Sequence, residues 1–398
     1  MPELKRTLSL PLITFYGLGT ILGAGIYVLI GSVAGSAGIF LPLSFLLAAL
    51  IAAFTAFSYA ELVARLPRSG GEAVYIDEAF HRRWLTLGIG YGAVSVGIMS
   101  AATIASGFVG YLQLFSSLDP NLIVVTVVIV LGFVAAIGMN VSAWAATLMT
   151  LVEVAGLALI ITLASSTIIE ANSFDYQQFV PRDLGDWRSI GAGAFLAFYA
   201  FLGFEDMVNV AEEVQNPRRN LPIAIIMALV VATLLYFLVG IAAVVSVPID
   251  ILSASSAPLS TVARGYGLSA KFMSAIALVA ITNGGLIQII KSSRILYGMA
   301  AMGNAPRIFG RVLSATNTPV IATLCVTVVV LLLAVWLETI ELATLTSLAT
   351  LVIFAVVNAA LLKIKCVNRE PSGSVEYPIA IPLIGMLLCL TLVAVQII

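Results

Sequence analysis

The chain is 398 residues long, 61% hydrophobic and only 10% charged, with a formal net charge of −1 at pH 7 and a mean hydropathy of +1.11. These values exclude a water-soluble globular domain and place the chain in a lipid bilayer. Near-neutral charge gives no basis for a nucleic-acid partner, and without a Walker-type glycine loop, a GxSxG elbow or a metal-ligand cluster, neither an enzyme nor a cofactor is expected.

At about 20 residues per crossing, apolar segments are predicted near residues 11–32, 41–64, 84–113, 121–138, 142–168, 189–211, 221–246, 271–300, 319–336, 340–362 and 378–398, eleven in all. Glycine and alanine run through them without strand-like alternation, so the predicted fold class is an all-α helical bundle and not a β-barrel. Lys5 and Arg6 ahead of the first segment resemble a secretory leader, but that apolar run exceeds a leader's core and further segments follow it. When loops alternate sides, fifteen of the nineteen Lys and Arg residues fall on one side, which predicts a multi-pass protein of the cell membrane with a cytoplasmic N-terminus.

The first segment carries Gly23 and Gly25 at its middle, within Thr20–Tyr27. A helix is interrupted at that depth only where the freed backbone groups face protein, water or a solute. Glycine permits the unwinding and the close approach of a solute, and the N-terminal amides of the second half-helix then favour an anion such as a carboxylate. After the second segment, Arg65–Glu72 reads as a turn leading into a short amphipathic cytoplasmic helix. In the fifth segment, Glu153 is an ionisable residue inside the membrane, either a coupling group or a protonated core residue.

The sixth segment, Phe198–Asp206, holds a lone glycine, Gly203, and two carboxylates, Glu205 and Asp206. Breaks in segments one and six, five apart, are what two inverted five-helix repeats produce. The predicted division is therefore 1–10 as cytoplasmic N-terminus, 11–168 and 169–362 as the repeats, and 363–398 as a linker with an additional helix. The stretch 247–270 reads as a short interfacial helix, and Lys291 and Arg294 as snorkelling to the inner interface. Cys325, Cys366 and Cys389 lie too far apart for a metal site and read as small buried hydrophobes.

Gly17–Val28 strongly resembles the first helix of the amino acid–polyamine–organocation permeases. Four further blocks agree in order: Tyr59–Gly71, Gly203–Glu205, Ala211–Pro222 and Ser293–Ala300. The resemblance spans roughly 8–365 and implies the leucine-transporter fold, with substrate held between helices one, three, six, eight and ten; members commonly have twelve helices, against eleven here. It implies that an amino acid's carboxylate meets amides of Ala24, Gly25 and Ile26 beside Gly23, and its ammonium meets carbonyls of Ile21, Tyr199 and Leu202 beside Gly203. The substrate side chain would face Phe204 and residues such as Ser95, Met99 and Asn283. It places Glu153 where proton-coupled relatives have a lysine.

The expected function is a secondary active amino acid transporter, coupled to a proton or ion through Glu153 and Glu205 with Thr282 as a neighbour. Arg65 or Arg68 is expected to pair with Glu212 or Glu213 as a cytoplasmic gate. An exchanger of cationic amino acids or polyamines and a non-transporting amino acid sensor remain as alternatives.

Overall fold

The computed structural model describes residues 6, 8–23, 25–68, 71–137, 143–171, 176–301, 303–313, 318–367 and 375–397. Ala24 of the expected site, and Ser69 and Gly70 of the expected turn, lie outside them. Among the described residues the chain is helical without strands, and all eleven predicted segments are helices. The first segment is α1 (Leu10–Leu22) and α2 (Gly25–Ala37), the second α3 (Leu41–Arg65), followed by the short α4 (Gly71–Phe80). The third to fifth are α5 (Arg83–Leu112), α6 (Pro120–Ile137) and α7 (Ala143–Ala171). The sixth is α8 (Leu184–Phe198) with 3-10 turns beyond it, and the seventh is α9 (Pro217–Ser246).

The stretch expected as one interfacial helix forms two, α10 (Ile249–Ser253) and α11 (Pro258–Gly265), because Pro258 restarts the chain at an N-terminal position. The last four are α12 (Ala270–Ala301), α13 (Val320–Trp336), α14 (Thr339–Val367) and α15 (Ala380–Ile397). Among the described residues, eight runs are long and apolar enough to cross a membrane. The first of these, Leu10–Arg65, holds 56 residues, more than two crossings at about 20 residues each. The shorter α13 and α15 stand at the ninth and eleventh predicted segments.

Proline and carboxylates set several helix starts. Pro11, Pro42 and Pro217 occupy first-turn positions, where a missing N–H costs nothing. Asp119 Oδ1 accepts the N–H groups of Asn121 and Leu122 at 2.9 and 3.2 Å, and Asp183 Oδ1 accepts that of Asp186 at 3.0 Å.

The packing repeats with an offset of five segments. Helix α3 packs on α9 and α5 on α12; α1 meets α9 as α3 meets α8, and α5 meets α14 as α7 meets α12. Such reciprocity is what a two-fold relation between like halves produces.

At one end of the bundle, Glu61 is fully buried on α3. Its carboxylate accepts Arg65 Nη2 at 2.8 Å, Lys365 Nζ at 2.6 and 2.7 Å, and the Tyr377 N–H at 3.0 Å. The junction ties α3, the end of α14 and the approach to α15 together. Deeper in the membrane, Asn358 of α14 takes Ser58 Oγ at 2.6 Å and gives to Thr55 Oγ1 at 2.9 Å, while Gly385 lets α15 lie against the Asn358 amide. Removing one member of a buried charge group leaves the others uncompensated, at a cost of about 3–5 kcal/mol. Glu61→Gln is therefore expected to lower the thermal unfolding midpoint of the detergent-purified protein, and an unchanged midpoint would contradict the role given to this junction.

Candidate functional site

Two interruptions face each other inside the bundle. Helix α1 makes its last regular bond from Gly23 N–H to Gly19 O at 3.0 Å, and α2 begins at Gly25. A Cβ on Gly23 would come within 3.4 Å of Gly284 Cα, and one on Gly25 would collide with Ala200 Cα, so glycine serves here for close backbone approach. In the sixth segment α8 ends at Phe198, a 3-10 turn covers Tyr199–Phe201, Leu202 is extended (φ −68°, ψ 141°), and Gly203 takes φ +130°. A 3-10 run, Phe204–Glu213, then carries the chain onward. Val210 (φ −105°, ψ 16°) breaks it with a kink, so it is two short 3-10 pieces rather than one long one, in keeping with the short lengths usual for this helix type.

Two hydroxyls join the interruptions. Thr20 Oγ1 lies 2.8 Å from Gly17 O and 3.0 Å from Gly203 O, its single proton serving one carbonyl at a time. Tyr236, on α9, reaches Ile21 O at 2.8 Å and Ala200 O at 3.0 Å in the same way. Below them, Leu8 N–H donates to Glu213 O at 3.0 Å and Gln215 N–H donates to Leu8 O at 2.9 Å. The strand-like contact fastens the approach to α1 onto the end of the 3-10 run.

A narrow cavity lies between the interruptions, with Thr20, Ile21 and Gly25 on one side and Tyr199 and Leu202 on the other. Its remaining walls are Ser100 and Ile104 of α5 and Gly284, Ile287 and Gln288 of α12. Ser100 Oγ and Tyr199 OH lie 3.0 Å apart. Thus Ile21, Gly25, Tyr199 and Leu202 line the cavity, while Gly23, Ile26 and Gly203 are packed around it. Phe204 departs from expectation: its ring packs on Tyr59 at 5.7 Å and Phe354 at 5.3 Å, fully buried and outside the lining. Ser95, Met99 and Asn283 likewise do not line it. Ser100 and Ile104, four apart, and Gly284, Ile287 and Gln288, at offsets of three and four, are the faces that helical phase presents. A polar Gln288 within an apolar segment was the available signal for one wall.

The charged groups form a separate layer. Glu205 Oε2 accepts the Gly203 N–H at 2.8 Å, and Gln288 Nε2 donates to Asp206 Oδ2 at 3.3 Å. Lys291 does not snorkel outward as its sequence position predicts: its side chain is 9% exposed, ion-paired to Asp206 and 4.0 Å from Glu205. The reason is proximity to two buried carboxylates, which hold the ammonium inside the bundle. Glu72, on α4, accepts Tyr59 OH at 3.1 Å, and burial pushes its carboxyl above the usual range against a weaker pull from the Lys291 ammonium.

Glu153 is fully buried on α7, and neither carboxylate oxygen has a hydrogen-bond partner among the described residues; the same holds for Asn283 Nδ2, whose amide faces it. Tyr27 OH donates to the Glu153 backbone carbonyl at 3.3 Å. Thr282 is not its neighbour. It is exposed, with Oγ1 bonded back to Leu278 O at 2.6 Å, because one residue along a helix turns the side chain by about 100° and brings Asn283 inward instead. The Arg65 guanidinium is held by Glu61 and by Glu376 at 2.8 Å, in place of the expected Glu212 or Glu213. Its i−4 neighbour is the nearer carboxylate.

The sequence profile of the amino acid permease family matches residues 8–398. A mitochondrial cationic amino acid transporter 3 of Arabidopsis thaliana is 29% identical over 94% of this chain and 64% of its own length. The Bacillus subtilis branched-chain amino acid permease BcaP is 27% identical, and a methylthioribose transporter of the same organism 28% identical; each match covers 98% of this chain and 88% of the relative. The chain thus spans less than two thirds of the plant relative's length and most of the bacterial ones'.

Gly203 combines a positive φ with a carbonyl 2.6 Å from where a Cβ would sit, whereas Gly88 on α5 has open space around that point. Gly203→Ala should lower the unfolding midpoint, with strain of about 1–3 kcal/mol before the steric clash is counted. Gly88→Ala should leave the midpoint equal or raised, by up to about 1 kcal/mol in stability. Equal midpoints for the two variants would contradict the geometry of the second interruption.

Proposed function

The chain belongs to the amino acid permease family, and on that premise we propose that it is a secondary transporter moving amino acids across the cell membrane by alternating access. The observation carrying this reading is the cavity where the first interruption faces the second. A zwitterion needs donors and acceptors a few ångströms apart. The amino end of α2, at Gly25 and Ile26, offers N–H groups and a favourable dipole, worth about 0.3–1 kcal/mol for an exposed anion and up to ~2 kcal/mol when partly buried. The carbonyls of Ile21, Tyr199 and Leu202 offer acceptors for the ammonium. Tyr236 uses one lone pair of Ile21 O and leaves the other.

Residues 11–168 and 169–362 are proposed as the two inverted repeats, which the reciprocal packing supports. The N-terminus is proposed to be cytoplasmic, which makes α1 and the 3-10 run the inner gate elements. Because Leu8 is bonded to both Glu213 and Gln215, these elements would move together. Glu153 is proposed as the coupling group: a buried carboxylate whose oxygens lack partners among the described residues is costly when ionised, so it would take up a proton or a cation with each cycle.

Purified protein reconstituted into liposomes is expected to take up labelled amino acid and to exchange it with internal amino acid. Binding without uptake or exchange would favour a sensor and overturn the transport reading. Glu153→Gln should cut ion-driven accumulation at least tenfold while exchange remains within about twofold, and normal accumulation in this variant would remove Glu153 from the coupling step.

A further inference from the structure

Lys291 stands where the chemistry of the site is decided. Every side chain lining the cavity is uncharged. Asp206 stands one hydrogen bond behind the lining residue Gln288, and it is ion-paired to Lys291 on the same helix as Gln288. The adjacent Glu205 accepts the Gly203 amide and lies 4.0 Å from the same ammonium. A cationic side chain entering from the cavity would need one of these two carboxylates, and a cation of this chain already sits against both.

Gln288 carries the consequence into the cavity. Asp206 is an acceptor when ionised, so it fixes the Gln288 amide with nitrogen toward it. The Gln288 Oε1 atom has no hydrogen-bond partner among the described residues, and the side chain is 9% exposed. Oε1 is itself buried, 3.4 Å from where a Cβ on Gly97 of α5 would sit, so the cavity wall on α12 presents a neutral amide rather than an anion. Other groups facing the ammonium do not change this balance at the cavity: Glu72 on α4 is bonded to Tyr59 of α3, and neither residue lines the cavity.

We propose that the transported amino acid has an uncharged side chain, and that Lys291 is the specificity-determining residue, acting as an internal cation that occupies Asp206 and Glu205 and so excludes arginine- and lysine-like substrates. This rests on the amino acid transport reading and narrows its substrate class. Replacing the ammonium by an apolar chain of similar length leaves Asp206 available through Gln288, and a cationic substrate then gains the partner it lacked.

The test is competition in proteoliposomes holding the purified full chain, with a panel of labelled neutral amino acids as transported probes and arginine and lysine as competitors. In the wild type, hundredfold excess arginine or lysine is expected to reduce uptake of the neutral probe by less than twofold. Cationic amino acids competing as well as neutral ones would overturn the inference while leaving amino acid transport standing. Failure of every amino acid to move or to bind would overturn the transport reading and this inference with it. Lys291→Met should raise the apparent affinity for arginine at least tenfold, and the triple variant Lys291→Met/Glu205→Gln/Asp206→Asn, which removes both carboxylates with the ammonium, should lose that gain while still binding the neutral probe. A Lys291→Met protein that carries the neutral probe and still ignores arginine would overturn the role of Lys291. If the single variant does not fold, the wild-type competition and the triple variant, in which ammonium and both carboxylates are neutralised together, decide; a gain in arginine uptake by the triple variant would equally refute the exclusion mechanism.

Discussion

Hydrocarbon offers a peptide group no partner, and this is the constraint from which the central architecture follows. Wherever the backbone leaves the helix at mid-membrane depth, another part of the protein has to receive it. Thr20 and Tyr236 do so at the two interruptions, each with a hydroxyl placed between carbonyls of different turns. Gly203 does so by geometry, its positive φ bringing its amide to the Glu205 carboxylate. The glycines at 25 and 203 allow the two interrupted segments to approach until such short bonds are possible. The cavity is the space left over where the donors and acceptors are not yet matched.

The same logic governs charge. Among the described residues, the two buried ion-paired clusters are arranged so that no single side chain stands alone: Glu61 receives two cations and a backbone amide, and Lys291 is shared by two carboxylates. Each joins elements distant in sequence, the first α3 to α14 and the second the 3-10 run to α12. Desolvating such groups is expensive, and geometry that satisfies them together is what makes their burial tolerable. Glu153 is the exception among the described residues, which is the physical reason for giving it a working role rather than a structural one.

The fold class, the eleven segments and the positions of both interruptions were legible in the sequence, because length, hydropathy and glycine placement are local signals. Helical phase was not. A segment apolar on every side gives no indication of which residue faces inward: the sequence offers Thr282 as the neighbour of Glu153, and Asn283 holds that place. The resemblance gives Phe204 to the substrate side chain, whereas its ring joins an aromatic cluster with Tyr59 and Phe354. Pairings over long sequence distance were equally hidden: nothing near Arg65 points to Glu376, and nothing near Lys291 points to Asp206, eighty-five positions earlier.

The Tyr236 hydroxyl holds the two interruptions in register from a third helix. Its one proton serves Ile21 O or Ala200 O but not both, so at any moment one of these carbonyls is open to another donor. A donor arriving beside Ile21 in the cavity therefore need not break the bridge, because the tyrosine can turn to Ala200 while the newcomer takes Ile21.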